Sequence, residues 1–212
     1  MARGHVKGEI AMKYSSIVAV MLILLTSCIS LDIAETYDSP GWPGYIETSE
    51  SLFDGRKQIS LEPAYLGKES GALRIGLRWH DNLESGKYLL IAEWDGAINF
   101  EPDRSLDVRA DDVHLSLEPA DPQQYGVTDR KFLSALGYTN DAGNFTKKQY
   151  WITQEQLDRI IKAEKVVFRV HFLDSYYDDQ LEPVGESQQA FQDYPNIYAK
   201  SAIPRFLGVV QQ

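Results

Sequence analysis

The chain is 212 residues long and contains one cysteine, 21 basic and 31 acidic residues, so its formal net charge is −10 at pH 7. This charge argues against nucleic acid and anionic lipid as partners, because both would be repelled. A single cysteine excludes a disulfide framework, so the folded part depends on its hydrophobic core for stability.

The chain begins with a segment typical of an export signal. Basic residues, the last of them Lys13, precede nine consecutive apolar residues, Ile17–Leu25, and small residues then lead to Cys28. This order matches the charged, apolar and cleavage regions of a secretory signal. Nine apolar residues are too few to cross a bilayer core, which needs about 20. We therefore expect residues 1–27 to be a signal peptide, and neither a membrane span nor a buried core helix.

The last four residues of this segment, Leu25-Thr26-Ser27-Cys28, resemble the lipobox of bacterial lipoproteins. The resemblance implies that the Cys28 sulfur receives a diacylglycerol and that cleavage leaves Cys28 as the first residue of the mature protein. Because that lipid carries at least two acyl chains, attachment to the membrane is durable. A second, looser resemblance links the mature domain to uncharacterised lipoproteins, through Phe53-Asp54-Gly55 and the helix junction before Val166–Val170, and carries no functional residues across.

Two further properties of the leader concern its start and the sorting of the mature protein. Translation from Met12 would give a compact lipoprotein leader, and either start leaves the same mature chain. In the enterobacterial lipoproteins that this chain resembles, Asp directly after the cysteine favours the inner membrane, whereas here Ile29 and Ser30 follow Cys28. The resemblance therefore implies a lipid-anchored protein of the cell envelope, in the outer membrane and facing the periplasm.

The mature chain is predicted to consist of a tether and one domain. Residues 28–51 carry the lipid and then a run of turn formers, Ser39-Pro40-Gly41-Trp42-Pro43-Gly44, which favours an extended spacer. Within this tether, Trp42 and Tyr45 are expected to pack on the edge of the domain. Residues 52–212 are expected to form a single β-rich globular domain.

Short strands dominate the predicted domain. In Leu73–His80 the apolar residues alternate with polar ones, which is typical of a strand with one buried face. Tyr88–Trp94 is apolar on both faces, which predicts a central strand, and Asp95-Gly96 predicts a hairpin. Further strands are predicted over Lys57–Glu62, Ala97–Phe100, Leu106–Val108, Val113–Leu117 and Val166–Leu173.

Helices are predicted late in the chain. Thr153 and Gln156 have the spacing of a capping box, which predicts a helix from Gln154 to about Lys165. A short helix is predicted near Thr128–Leu136, and the C-terminal part is expected to hold short helices broken by Pro195 and Pro204. Strands separated by turns, with one late helix, predict a mainly β fold: an antiparallel β-sandwich or a small barrel, with an α+β arrangement as the alternative.

The sequence offers few candidates for chemistry. Three histidines remain after cleavage, His80, His114 and His171, and none has metal-ligand spacing with another. An exposed strand histidine beside a loop carboxylate is the favoured interpretation of each. Neither a Gly-x-Ser-x-Gly elbow nor a glycine-rich phosphate loop is present. We therefore predict no catalytic residue, metal site or cofactor, and expect that the protein is not an enzyme.

Acidic loops and aromatic residues are weaker candidates for binding. The loops Asp103–Asp112 and Asp174–Asp179 lack EF-hand spacing, so we interpret them as solvated. Tyr176 and Tyr177, in the predicted loop Ser175–Gln180, are expected to be exposed and able to stack on a ligand. The four tryptophans, Trp42, Trp79, Trp94 and Trp151, are also aromatic candidates, but most residues at such strand positions are expected in the core.

Two classes of function follow from the sequence. The first is a lipid-anchored binding, adaptor or structural module of the cell envelope, whose partners are the membrane, through the lipid, and an envelope protein or a glycan. The alternative is a cell-envelope hydrolase or metal-dependent enzyme, in which carboxylates or the three histidines meet in a cleft. Nucleic acid is not an expected partner in either class.

Overall fold

The computed structural model describes residues 40–67, 72–127, 144–182 and 197–212 of the chain. Within these ranges the backbone forms the following strands and helices: β1 Ile46–Glu50, β2 Lys57–Tyr65, β3 Leu73–His80, β4 Lys87–Asp95, β5 Leu106–Ala110, β6 Val113–Leu117, β7 Pro119–Val127, β8 Asn144–Thr153, α1 Gln154–Lys162, β9 Val166–His171, β10 Tyr176–Leu181 and α2 Ala199–Val210. The signal segment, Cys28 and the helix predicted near Thr128–Leu136 lie outside the described residues.

The strands form two antiparallel sheets. Six strands are ordered β1-β2-β3-β4-β8-β7, and four are ordered β10-β9-β5-β6. Every pairing between neighbouring strands of these sheets is antiparallel. The prediction of a mainly β, sandwich-like fold is thereby confirmed, and α1 and α2 are additions to it.

The core lies between the two sheets and is filled by one face of each alternating strand. A single cluster of buried side chains contains residues of both sheets and both helices. Six of these residues, on the inner faces of β3 and β9, are completely buried: Leu73, Ile75, Leu77, Val166, Phe168 and Val170. The alternation predicted for both strands is therefore confirmed. Strand β4 is buried on both faces over six consecutive residues, as expected of a central strand.

Helix α1 begins with the predicted capping box. Thr153 Oγ1 accepts a hydrogen bond from the Gln156 amide at 3.3 Å, and Gln156 Oε1 accepts one from the Thr153 amide at 2.9 Å. The helix ends at Lys162, three residues before the predicted end. Its end is fixed from outside, because Asp111 Oδ1 accepts a hydrogen bond from the Lys165 amide at 2.9 Å.

Two local predictions are wrong for reasons of tertiary structure. Ala97–Phe100 does not form a strand, because β8 pairs with β4 along its whole length and occupies the position that a hairpin would need. Pro204 lies inside α2 and does not break it. A proline within a helix costs about 3 kcal/mol, and burial of Ile203 and Phe206 on either side of it offsets that cost.

The predicted tether ends earlier than Ser51. Trp42 is buried, and the Gly44 amide donates to the carbonyl of Glu62 at 3.1 Å, so the chain is already packed on β2 there. Residues Ile46–Glu50 then form the edge strand β1, which pairs with β2. The burial of Trp42 agrees with the expectation that it packs on the domain, whereas strand β1 lies in a segment that was predicted to be part of the tether.

The outer face of the six-stranded sheet carries a row of opposite charges. Arg74 on β3 lies opposite Glu93 on β4, which in turn lies opposite Lys147 on β8. Arg74 forms an ion pair with Glu93, and Lys147 Nζ lies 3.0 Å from the second Glu93 oxygen. Both Arg74 and Glu93 are buried. Since removing one partner would leave a buried charge unpaired, this row fixes the register of three neighbouring strands.

Glu62, on β2, is less well compensated than Glu93. Burial raises the pKa of the Glu62 carboxyl above its ordinary value, and nearby Lys147 opposes that shift only in part. The folded state therefore holds a proton on Glu62 more tightly than the unfolded chain does. The stability that this preference contributes is present at low pH and is lost as pH rises through the folded pKa.

We predict that Glu62→Gln raises the free energy of unfolding at pH 7, because a neutral amide removes the cost of burying the carboxylate. The gain should disappear in acid, where Glu62 itself is protonated. Urea unfolding at pH 7 and near pH 3.5 measures both values. Glu84→Gln is the matched control, since the Glu84 side chain is 75% exposed. A gain of equal size at both pH values would contradict the assignment.

Candidate functional site

Two of the three histidines meet at one carboxylate. His171 Nε2 lies 2.8 Å from Asp107 Oδ2, and His114 Nε2 lies 3.7 Å from Asp107 Oδ1. Ser116 Oγ donates to Asp107 Oδ1 at 3.3 Å. We call these four residues the Asp107 cluster. His80 is on the other sheet, at the end of β3, where burial and nearby Arg78 lower the pKa of its imidazole.

Strand order explains the Asp107 cluster. Strand β5 lies between β9 and β6, so Asp107 is flanked by both neighbours, opposite Arg169 on one side and Ser116 on the other. Side chains on a strand alternate, which places Asp107 on the outer face while Val108 enters the core. His114 and His171 reach the same face from two different strands. The cluster forms through the pairing of three strands, so the spacing of its residues along the sequence does not predict it.

A bidentate ion pair borders the cluster. Arg169 Nε and Nη2 donate to the two oxygens of Asp178 at 2.6 and 2.7 Å, and the Arg169 guanidinium lies 4.2 Å from the centre of the Tyr176 ring. The hydrogen bonds from Arg169 lower the pKa of the Asp178 carboxyl. Asp178 belongs to strand β10, in the acidic segment that was predicted to be a solvated loop. The acidic run Asp174–Asp179 is therefore largely strand.

The Asp107 cluster fits a structural role better than a catalytic or metal-binding one. Each imidazole has its Nε2 atom directed at the Asp107 carboxylate, at hydrogen-bond distance for His171 and at ion-pair distance for His114. Among the described residues, no group of three or more potential ligands could hold a metal ion. The Ser116 hydroxyl donates to the Asp107 carboxylate, whereas the usual activated serine donates to an imidazole base. The cluster joins β5, β6 and β9 on their solvent side.

A groove lies where the chain passes from one sheet into the other. Strand β6 of the four-stranded sheet ends at Leu117, and Glu118 connects it to β7 of the six-stranded sheet. The Trp151 amide donates to the Glu118 carbonyl at 2.8 Å. The groove has a volume of about 660 Å³, within the range of small-molecule sites. It is lined by Asn82, Leu83, Glu84, Lys87, Ser116, Glu118, Trp151, Ile152, Thr153 and Gln156.

The walls of the groove are held by turns and a cap. The turn between β3 and β4 is closed by hydrogen bonds from the Leu83 amide to the His80 carbonyl at 3.1 Å and from Lys87 to Glu84 at 3.0 Å. On the other side stands the capping box of α1, which fixes the side chains of Thr153 and Gln156. The groove therefore presents amide, hydroxyl and charged groups on anchored backbone.

Trp151 gives this groove an exposed aromatic surface. It is 39% exposed, whereas Trp42 is buried and Trp79 and Trp94 pack partly against the core. The expectation that most of the tryptophans are core residues agrees with Trp42, Trp79 and Trp94, and Trp151 is the exception. Strand β8 alternates, so Tyr150 and Ile152 enter the core and Trp151 faces outward. That alternation in the sequence was the signal that could have found it.

The two tyrosines expected to be exposed behave differently. Tyr176 is 60% exposed, as expected. Tyr177 instead packs edge-on against Trp94, with ring centroids 4.9 Å apart, so its prediction as an exposed ligand-binding residue is wrong. The cause is strand β10, whose alternation turns one tyrosine outward and the next inward.

No family model matches the chain, and a search of the curated proteins finds no match either. Among the described residues, no helix combines the length and apolar character needed to cross a membrane.

We predict that His171→Asn destabilises the fold and that His114→Asn does not. The His171 side chain is 13% exposed and makes a 2.8 Å bond to Asp107, so its loss should cost about 1–2 kcal/mol. The His114 side chain is 65% exposed and lies 3.7 Å from Asp107, so its replacement should change stability by less than about 0.5 kcal/mol. Urea unfolding of both variants makes the comparison, and equal losses would contradict the assigned roles.

Proposed function

We propose that this chain is a lipid-anchored protein of the cell envelope whose β-domain binds a glycan in the groove beside Trp151. The anchor rests on the lipobox-like residues that end at Cys28. The binding proposal rests on one observation, an exposed tryptophan in a polar groove that is rigidly framed by two turns and a helix cap.

The chemistry of the groove suits a sugar. A pyranose ring presents C–H groups on its face, which pack on an aromatic ring, and hydroxyls around its rim, which both donate and accept hydrogen bonds. Trp151 supplies the aromatic surface, while Asn82 and Gln156 supply amides that can satisfy hydroxyls of either polarity. Carboxylates of Glu84 and Glu118 add acceptors. Together with the net charge of −10, these acids disfavour a phosphate-rich ligand.

Binding is favoured over hydrolysis by the arrangement of the Asp107 cluster. Ser116 reaches both the groove and the cluster, yet its hydroxyl is hydrogen-bonded to a carboxylate and not to a histidine. Glu84, on the groove wall, lies 2.5 Å from Lys87 Nζ in an ion pair. These contacts engage the Ser116 hydroxyl and the Glu84 carboxylate with partners that do not activate them, which supports a binding module.

We predict that Trp151→Ala weakens glycan binding at least about tenfold, as expected when an aromatic anchor is removed from a binding site. Two probes are titrated by calorimetry: soluble disaccharide fragments of peptidoglycan, and dephosphorylated oligosaccharide released from lipopolysaccharide. Tyr176→Ala is the matched control, because Tyr176 is also an exposed aromatic residue but lies outside the groove.

Saturable binding of either probe that is lost in Trp151→Ala and kept in Tyr176→Ala supports the proposal and identifies the glycan. Binding that survives Trp151→Ala unchanged would contradict the role of the groove. If neither probe binds the unaltered protein, the assignment to an envelope glycan fails.

A separate prediction tests the anchor. Cys28→Ser should abolish incorporation of radiolabelled palmitate and leave the precursor uncleaved, because the thiol that receives the lipid is missing. Labelling of the expressed protein followed by gel analysis measures both effects. Thr26→Ser, a conservative change within the same segment, is expected to keep the label. Persistent labelling of Cys28→Ser would refute lipidation at this cysteine.

A further inference from the structure

The turn between β1 and β2 carries the most exposed large apolar side chains of the described residues. Leu52 and Phe53 are fully exposed, so neither packs on the domain. We call these two residues the apolar tip. Exposed apolar residues are common singly, but two adjacent ones with full exposure at the end of a hairpin contribute nothing to the core. Such a pair is suited to burial in something else.

The turn that holds the apolar tip is closed on itself. The Gly55 amide donates to the Ser51 carbonyl at 2.8 Å, and the Ser51 amide donates to the Arg56 carbonyl at 2.9 Å. Ser51 Oγ accepts from the Phe53 amide at 3.3 Å. Gly55 has φ of 69°, a conformation that glycine adopts without strain. The tip is thus presented on ordered backbone, which lowers the entropy cost of docking.

Charge at the tip is balanced. Asp54 forms an ion pair with Arg56 at 2.7 Å, and Glu50 lies opposite Lys57 in the β1–β2 pairing. The excess negative charge of the chain is therefore not concentrated here. A tip of this kind is attracted to an apolar medium and gains nothing from an anionic surface.

The length of the chain before the domain permits contact with a bilayer. Pro40 follows Cys28 by twelve residues, which reach at most about 43 Å when extended. Strand β1 has five residues and spans about 17 Å. The tip is therefore within reach of a membrane to which Cys28 is joined.

Two partly exposed apolar side chains, Leu83 and Trp151, lie toward the same end of the six-stranded sheet. The Asp81 amide donates to the Lys57 carbonyl at 3.2 Å, so the β1–β2 turn and the β3–β4 turn adjoin each other. Leu83 belongs to the second turn, and Trp151 lies opposite Leu89, two residues from the Lys87–Thr153 pair near that turn. Tryptophan is enriched where proteins meet the headgroup region of bilayers.

We propose that the apolar tip, Leu52 and Phe53, inserts into the surface of the bilayer that carries the lipid of Cys28, and so docks the domain on a zwitterionic phospholipid surface. This proposal rests on the proposed lipid anchor. A fluid bilayer accepts a narrow convex tip, whereas a stable protein interface needs about 800 Å² on each partner. Two side chains with a polar surround offer far less than that.

The test uses the acylated full chain in phosphatidylcholine vesicles. Lipidation blocks the thiol of Cys28, the sole cysteine, so Phe53→Cys supplies one reactive thiol for an environment-sensitive fluorophore. We expect blue-shifted emission that is quenched by phospholipids brominated on their acyl chains. Leu173→Cys is the matched control, since Leu173 is 57% exposed and its amide bonds the Asn99 carbonyl, beyond the far end of β4. A fluorophore at position 173 should show the emission of an aqueous environment, without quenching by the brominated lipids.

A second variant separates insertion from mere proximity. Leu52→Asp in the Phe53→Cys chain should remove most of the blue shift, because a charge beside the label resists insertion. Added anionic lipid should weaken the quenching. Equal emission from positions 53 and 173 overturns the proposal. A shift that needs added envelope proteins and is absent on lipid alone also overturns it, and would identify a protein partner.

The failure of the anchor is distinguishable from the failure of the tip. If the unaltered chain reacts with the thiol reagent, Cys28 is not acylated and the proposed anchor is wrong. If that chain is unreactive while the fluorophore at position 53 shows the emission of an aqueous environment, the proposed anchor is retained and the proposed docking of the tip is wrong.

Discussion

Lys148 is a cation in the interior of the sandwich, and the connection between the two sheets depends on how its charge is satisfied. Its side chain is 1% exposed on the inner side of β8, and burial lowers the pKa of its ammonium group. The Nζ atom donates to the carbonyls of Glu101 and Arg104, the second at 3.0 Å. Thr146, two residues earlier, donates to the Gly96 carbonyl at 3.1 Å. An unpaired ammonium would be too costly to bury there, so the crossing from β4 to β5 must lie over β8.

Once that crossing is fixed, the position of the candidate sites follows. Strand β5 enters the second sheet between β9 and β6, which brings Asp107 to both histidines. Strand β6 then returns to the first sheet through Glu118, and this return makes the groove beside Trp151. The Asp107 cluster and the groove therefore both lie beside the chain segment that links β6 to β7, and Ser116 belongs to both. Changes at Asp107 are expected to reach the groove through this serine.

The sequence predicted those elements whose signal is local. The inward face of β3 and the capping box of α1 follow from spacing alone, and both are confirmed. Strands β1 and β10 escaped prediction because they lie at sheet edges, where little of either strand is buried and apolar alternation is weak. The groove and the Asp107 cluster escaped because each combines segments that are far apart in sequence. Only strand order brings them together, and local patterns do not encode strand order.

Tethering and docking would act together on the orientation of the domain. The proposed lipid on Cys28 would confine the domain to a thin layer near the bilayer, which would raise the effective concentration of the apolar tip at the surface. Even weak insertion of Leu52 and Phe53 would then suffice to populate a docked state, whereas the same tip on an untethered protein would dissociate. A flexible tether alone leaves rotation free, but a second point of attachment restricts it. Because the β3–β4 turn borders both the tip and the groove, docking would hold the groove close to the headgroups and favour glycans carried near the membrane.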